Sequence, residues 1–272
     1  MNRFTAHFRT PELSIGRFDH PQNDSHQDPE EENCLEYSIN LVERGSFSVC
    51  LGRNCWQLGP GDLFLTRPGM VYRCHHHEDV PTDSCLTVSY AALRRREGAD
   101  LARIAAERVV LKATSRAAYL FRSFSKVLDN QGQHLAVESS AAALLSEISG
   151  GVNFRRKTYN QRQLAWYAER VDGVRDLLQT HYSAEHTLSS MARSVGMSTF
   201  HFARIFGELT GLPPHRYLLR LRMHESARRL SEGASVTEAC FNTGFRNLSH
   251  FVRTFQRWFG VSPSRYRKQR VA

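Results

Sequence analysis

A repeat near the C-terminus constrains this chain more than any other feature. Phe202, Arg204, Phe206, Gly211, Pro214, Arg216 and Tyr217 recur 49 positions later as Phe251, Arg253, Phe255, Gly260, Pro263, Arg265 and Tyr266. Seven identities in register over sixteen residues are hard to obtain by chance. Ahead of them the offset is 48, pairing Gly196 with Gly244 and Val195 with Thr243, so the second copy has one extra residue in its turn.

Each copy has the chemistry of two helices joined by a tight turn. Thr187 is placed to cap a helix containing Leu188, Met191, Ala192 and Val195. Ala192 is small enough for a second helix to cross closely, and Gly196 supplies a positive φ at low cost. Ser198 caps that second helix, and Phe202, Ile205 and Phe206 face inward. Thr199, Phe200, Ala203 and Arg204 then point away, where a major groove would lie. In the second copy Ser235 caps, Ala239 and Cys240 take the small positions, Gly244 turns, and Phe251 and Phe255 face inward. Arg246, Asn247, Ser249, His250 and Arg253 face outward. A bridging helix is predicted from about Pro214 to Ser231, with Leu219, Met223, Ala227 and Leu230 on one side and Gly233 at its end. Charge agrees with a polyanionic partner for this half. Residues 151–272 hold 20 Lys+Arg against 8 Asp+Glu (net +12), whereas residues 1–150 hold 16 against 19 (net −3).

The N-terminal half reads differently. Phe47, Val49 and Leu51 alternate with Ser46, Ser48 and Cys50, and Leu86, Val88 and Tyr90 with Thr87 and Ser89, which is the period of half-buried strands. Leu58-Gly59-Pro60-Gly61-Asp62 and Arg67-Pro68-Gly69 are turn signals, so a small barrel or sandwich is predicted over 37–90. The acidic, polar stretch from Asp19 to Glu32 reads as a loop. Helical spacing follows at Tyr119, Leu120, Phe124, Val127 and Leu128, and again at Leu135, Ala142, Leu145 and Ile148. The apolar stripes of these two helices, over 115–128 and 134–149, predict a homodimer interface. Gly150-Gly151 stops the second helix, and residues 151–163, with Arg155-Arg156-Lys157, read as a basic linker.

Met1 to Thr10 lacks the apolar stretch of a signal peptide, and no apolar run approaches 18 residues. No membrane partner and a cytoplasmic location are therefore expected. Cys34, Cys50, Cys55, Cys74, Cys85 and Cys240 contain no C-x-x-C spacing, and in a reducing compartment most are expected as free thiols. Cys74-His75-His76-His77-Glu78 with Cys85 offers ligands suited to zinc, copper or nickel. Adjacent histidines on a strand point to opposite faces, so no metal site is assigned; Cys74, His75, His77 and Cys85 are the residues that one would use. Redox sensing by Cys34, Cys50, Cys55, Cys74 or Cys85, and a small organic effector, are the other readings of this half.

The segment from Val171 to Tyr266 resembles the DNA-binding domain of the AraC/XylS family, through Gly244-Phe245, the Phe251-x-Arg253-x-Phe255 run and Gly260-x-x-Pro263-x-x-Tyr266. The resemblance implies two helix-turn-helix subdomains whose recognition helices enter successive major grooves. It implies DNA contacts at Phe200, Ala203 and Arg204 and at Ser249, His250 and Arg253, with Ser198, Thr199, Arg246 and Asn247 alongside. Ala203 departs from the longer polar side chain common there; it can touch a thymine methyl but cannot bond a base edge. Gly59-Pro-Gly61-Asp62-Leu-Phe-Leu and Pro68-Gly69 resemble the cupin-like sensing domain of the same family. Metal-binding cupins carry a His soon after that Pro-Gly, where this chain has Tyr72, and no His-x-His precedes it in 33–60.

The expected architecture is α+β and multidomain. Residues 1–150 form a cupin-like sensing and dimerisation domain built as a small β-barrel with flanking helices, 151–163 a linker, and 164–272 an all-α tandem helix-turn-helix domain. The expected function is transcription regulation without enzymatic activity or cofactor. The partners are double-stranded DNA, a small-molecule effector, RNA polymerase and a second copy of the chain. A cupin enzyme fused to a DNA-targeting domain is the alternative.

Overall fold

Turns at glycine and proline cut the first half of the chain into short strands. The structure, a computed structural model, describes residues 3–20, 31–76, 82–91, 95–129, 134–149 and 159–271. It divides the chain into two units, Met1–Tyr159 and Asn160–Ala272. None of the described helices is long and apolar enough to cross a membrane.

The first unit contains β1 (Arg3–Arg9), β2 (Leu13–His20), β3 (Glu32–Asn33), β4 (Tyr37–Arg44), β5 (Phe47–Leu51), β6 (Asn54–Leu58), β7 (Asp62–Thr66), β8 (Val71–His76) and β9 (Asp83–Tyr90). α1 (Arg95–Glu107), β10 (Val110–Lys112), α2 (Ser115–Asp129) and α3 (His134–Ser149) follow. The strands do not close into the expected barrel. They form a six-stranded sheet, β1-β2-β9-β4-β7-β10, and a four-stranded sheet, β3-β8-β5-β6. β1 and β10 remain edges of the first sheet, and β3 and β6 edges of the second, so among the described residues the hydrogen-bond ladder does not return on itself. The loop expected over Asp19–Glu32 is shorter: Asp19 and His20 end β2 and Glu32 opens β3, while residues 21–30 lie outside the described residues.

The six-stranded sheet is covered on both faces. On one, Ile15, Ile39, Leu41, Leu63, Leu65, Leu86 and Val88 form a core with Leu101, Phe121, Phe124, Leu144 and Ile148 of the three helices. Tyr90 donates to the Ala141 carbonyl at 2.9 Å, and Arg116 pairs with Glu147 at 3.2 Å, pinning α3 in place. Part of the apolar stripes from which a homodimer interface was expected on α2 and α3 is taken up by this core. Phe124 is 0% exposed and Leu120 is half-buried against the same core. Tyr119, Phe124, Leu145 and Ile148 of the stripes are buried within the chain, Ala142 is exposed, and the side chains of Val127, Leu128 and Leu135 lie outside the described residues. On the opposite face, Val42 and Phe64 pack with Phe47, Val49 and Leu58 of the four-stranded sheet.

The second unit is helical: α4 (Gln161–Thr180), α5 (Leu188–Ser194), α6 (Thr199–Thr210), α7 (Pro214–Ser231), α8 (Val236–Phe241), α9 (Leu248–Phe259) and α10 (Pro263–Val271). α4 starts ahead of the expected residue 164, because Asn160 forms a capping box with Gln163. Residues 151–158 of the expected linker lie outside the described residues. Pro214 sits in the first turn of α7, where its missing N–H costs nothing. α7 serves two cores. Tyr217 and Leu218 near its start are buried on the side of the first copy, and Met223, Ala227 and Leu230 near its end belong to the second.

Candidate nucleic-acid interface

The repeated residues do the same work twice. Phe206 packs on Phe202 (5.4 Å between ring centroids) and edge-on to Tyr217 (5.5 Å). Phe255 packs on Phe251 (5.7 Å) and edge-on to Tyr266 (5.4 Å). Gly211 and Gly260 end α6 and α9 in the left-handed conformation at φ 77° and 74°, where a Cβ would be penalised. Capping repeats as well. Thr187 and Ser235 form capping boxes on α5 and α8, and Ser198 caps α6. Asn247 caps α9, accepting from the His250 N–H at 2.8 Å. The extra residue of the second copy falls between the turn glycine and this cap, where Phe245 and Arg246 stand against Met197 alone.

Each recognition helix therefore turns a fixed side to solvent. On α6, Thr199, Phe200 and Arg204 are exposed and Ala203 is half-buried; Phe200, at 82% exposure, is the most open large apolar side chain among the described residues of the unit. On α9 and the residues just before it, Arg246, Asn247, Ser249, His250 and Arg253 are exposed. Two of the arginines are already engaged: Arg204 pairs with Glu208 on the next turn at 3.4 Å, and Arg246 pairs with Glu185. Arg253 has no ion-pair partner among the described residues. Asn247, expected as an outward DNA-contacting group, also gives its oxygen to the helix end.

The metal-ligand candidates do not converge. Cys74 and Cys85 pack against the core between the sheets, His75 is exposed, and His77 lies outside the described residues. Among the described residues no group of three or more His, Cys, Asp or Glu is placed to hold a metal ion. Burial first, then the nearby Glu32, pushes the Cys74 thiol up, and burial with Asp83 does the same to Cys85. Burial likewise raises Cys34. Raised values suppress the thiolate that both metal binding and thiol redox chemistry require. Most of the cysteines are free thiols, as expected, but Cys50 and Cys55 are joined across the β5–β6 hairpin, where they face each other in register. Tyr72 donates to Glu32 at 2.7 Å.

A group absent from the sequence reading lies on the inner face of the six-stranded sheet. Ser38 stands opposite Ser89 and Thr66, Asn40 opposite Thr87 and Phe64, and Ser14 opposite Ser89. These positions share the face of Phe64 and Val42, toward the four-stranded sheet. The Ser38 and Ser89 hydroxyls are 2.9 Å apart, and Thr87 donates to the Asn40 oxygen at 2.7 Å. Polar alternation in a strand normally marks the solvent side, so only the strand pairing reveals that this row faces another sheet.

Two helix-turn-helix units on a shared helix, each turning the corresponding side of its second helix to solvent, with a basic balance, define a DNA-binding protein. The helix-turn-helix family model matches residues 191–269, and the AraC-like ligand binding domain model matches residues 14–148. The chain belongs to the AraC/XylS family of transcription regulators, with an N-terminal ligand-binding domain ahead of a DNA-binding domain for duplex DNA. It is 23% identical over 219 residues to an HTH-type transcriptional regulator, YbfI, of Bacillus subtilis, covering 79% of this chain and 78% of that protein. It is 33% identical over 116 residues to the HTH-type transcriptional activator RhaS of Escherichia coli, covering 42% of each. Among solved structures, the C-terminal domain of AraT, a response regulator from Geobacillus stearothermophilus, matches at 27% identity with a TM-score of 0.37, over 38% of this chain and 87% of that one.

Proposed function

We propose that the chain regulates transcription in the cytoplasm by laying α6 and α9 into successive major grooves of duplex DNA, under the control of an effector bound by the first unit. The observation that carries this is the repeated geometry: two capped helices, seated on their cores by the same residues, present equivalent faces to solvent. Paired readers of this kind meet grooves about one turn, ~34 Å, apart. On α6, Phe200 and Ala203 suit thymine methyls and Arg204 a guanine edge, while Ser249, His250 and Arg253 on α9 offer hydrogen bonds. Ser198, Thr199, Arg246 and Asn247, at the starts of the two helices, are assigned to backbone phosphates.

The test selects bound sites from genomic DNA and footprints them. Arg204→Ala and Arg253→Ala should each weaken the specific complex by ~1–3 kcal/mol and thin the footprint at different ends. Wild-type affinity and footprint in both would show the readers to be oriented otherwise.

The effector is assigned to the inner face of the six-stranded sheet. Half-buried Ser14, Ser38, Asn40 and Ser89 beside Phe64 supply hydroxyl and amide groups next to an aromatic edge, which suits a small hydroxyl-bearing organic molecule. Calorimetric titration with sugars, polyols and hydroxy acids tests this, and Ser38→Val should abolish the heat. Heat that survives Ser38→Val and Asn40→Leu places the effector elsewhere. Such a ligand shifts the protein only through its different affinity for two arrangements of the chain. Residues 1–150 then act as sensor, the 151–163 stretch carries the change, and RNA polymerase is the partner that reads it. A second copy of the chain would have to dock on a surface other than the buried part of the apolar stripes of α2 and α3.

A further inference from the structure

Three segments distant in sequence close on one another inside the second unit. The loop between α4 and α5 leads into the first helix-turn-helix, α7 bridges the two copies, and the α8–α9 turn belongs to the second. Arg222, on α7, donates through Nε to the Tyr182 carbonyl and through Nη2 to the Ala184 carbonyl, both at 2.8 Å. The turn presses on the same place: a Cβ built on Gly244 would lie 2.4 Å from the Ser183 carbonyl oxygen and 3.0 Å from the Arg222 guanidinium. Glu185 of the loop pairs with Arg246 just past the turn. Tyr182 is tied to α7 in turn, donating to Glu225 at 3.1 Å and accepting from Arg229 at 3.1 Å.

Gly196 shows what is special here. It occupies the equivalent turn of the first copy with a similar positive φ of 65°, yet nothing lies within 4 Å of its Cβ position. Gly196 is needed for the turn alone, and Gly244 for the turn and for the approach of the loop.

We propose that this contact is a clasp that fixes the angle and separation of α6 and α9, and so sets the half-site spacing that the protein accepts, with Arg222 and Gly244 as its positioning residues. The proposal rests on the DNA reading above. The copies also share α7, with one core toward each end, and a groove of about 710 Å³, lined by Leu188, Leu218, Phe241 and Phe245 and by the clasp residues Arg222 and Gly244 among others, lies between them. That groove leaves room for the copies to open or close about α7. One added base pair moves a half-site by ~3.4 Å and rotates it by about 35°, a tenth of a turn. A clasped pair of readers cannot follow that displacement, and an unclasped pair can.

The experiment measures binding of the full chain to its selected site, to the same site with one base pair added or removed between half-sites, and to a single half-site. Arg222→Met keeps the packing and removes both bonds; Arg222→Lys restores one donor. Arg222→Met should lower affinity for the native spacing by about tenfold, as loosened coupling does, erase most of the preference for it, and leave the single half-site as tight as before. Arg222→Lys should fall between. Gly244→Ala should lose the spacing preference, whereas Gly196→Ala, which strains a turn without touching the loop, should retain it. Without DNA, amide exchange in residues 181–187 and 242–248 should speed up together in Arg222→Met. A wild-type spacing preference in Arg222→Met, or an equal loss on the single half-site, overturns the clasp. A wild type that selects no duplex overturns the DNA reading instead, and the exchange measurement still reports whether loop and turn are coupled.

Discussion

Replacing Phe255 with alanine tests whether the two cores of the DNA-binding unit are separable. The ring is fully buried, and it touches Phe251 at 5.7 Å, Phe259 at 4.5 Å and Tyr266 at 5.4 Å between centroids. Truncating a buried Phe costs ~3–5 kcal/mol, and the loss of three aromatic neighbours puts this site toward the upper end. A domain is stabilised by only about 5–15 kcal/mol in total, so the second copy should melt at least ~12 °C below the wild type. The first copy keeps its own support: Phe202, Ile205, Phe206 and Leu209 are fully buried, and Tyr217 closes the same side. Between the two melting temperatures, a footprint should lose the end assigned to α9 and keep the end assigned to α6. Phe206→Ala should do the reverse. The assay is calorimetric melting combined with footprinting over a temperature series. If both variants lose both ends of the footprint together, the unit is one cooperative core, and the division of α7 between two cores is wrong.

Two further outcomes follow from charge. Binding should weaken steeply with salt, with a log–log slope near −0.9 for each phosphate neutralised; a flat dependence, measured by titration at several ionic strengths, would remove the electrostatic half of the argument. Glu225 is held below the usual carboxylate range, first by hydrogen bonds from Arg228 and also by Tyr182 and Arg229. Its contribution is present above that range and is lost as pH falls through the depressed value. Glu225→Gln should therefore destabilise the second unit at neutral pH and flatten the acid limb of its stability curve, as read by denaturant melts across pH.

The C-terminal half was legible because its signals are local. A cap, a turn glycine and a proline in a first turn each act within a few residues, and duplication printed each of them twice. The first half depends on pairing, which no single strand discloses. Amphipathic stripes at Leu120 and Phe124 say that a face is buried without saying against what, and the partner is the chain's own sheet. Ser38 and Asn40 look like solvent-side positions until Ser89 and Thr87 are paired with them. Cys50 and Cys55 become neighbours only in the β5–β6 register. β1 and β2, near the N-terminus, extend the sheet with strands that the turn signals of 37–90 did not mark.

The two copies keep their aromatic anchors and differ in much of what surrounds them. The buried rings kept their residues, Phe202 with Phe251 and Phe206 with Phe255, and so did the capping glycines, whereas buried Ile205 and Leu209 correspond to Thr254 and Trp258. On the outward faces Arg204 and Arg253 are shared, but Thr199 corresponds to Leu248, Phe200 to Ser249 and half-buried Ala203 to Val252. Even a shared residue is used differently, since His201 is half-buried against Tyr167 while His250 is exposed beside Phe245. The two readers therefore offer different side chains beside a shared arginine, so the two half-sites should differ in sequence. A protein whose two readers prefer different half-sites binds in one orientation, and one chain is then enough to give the site a direction. An inverted repeat of the whole site would instead report two chains, each oriented by its own pair of readers.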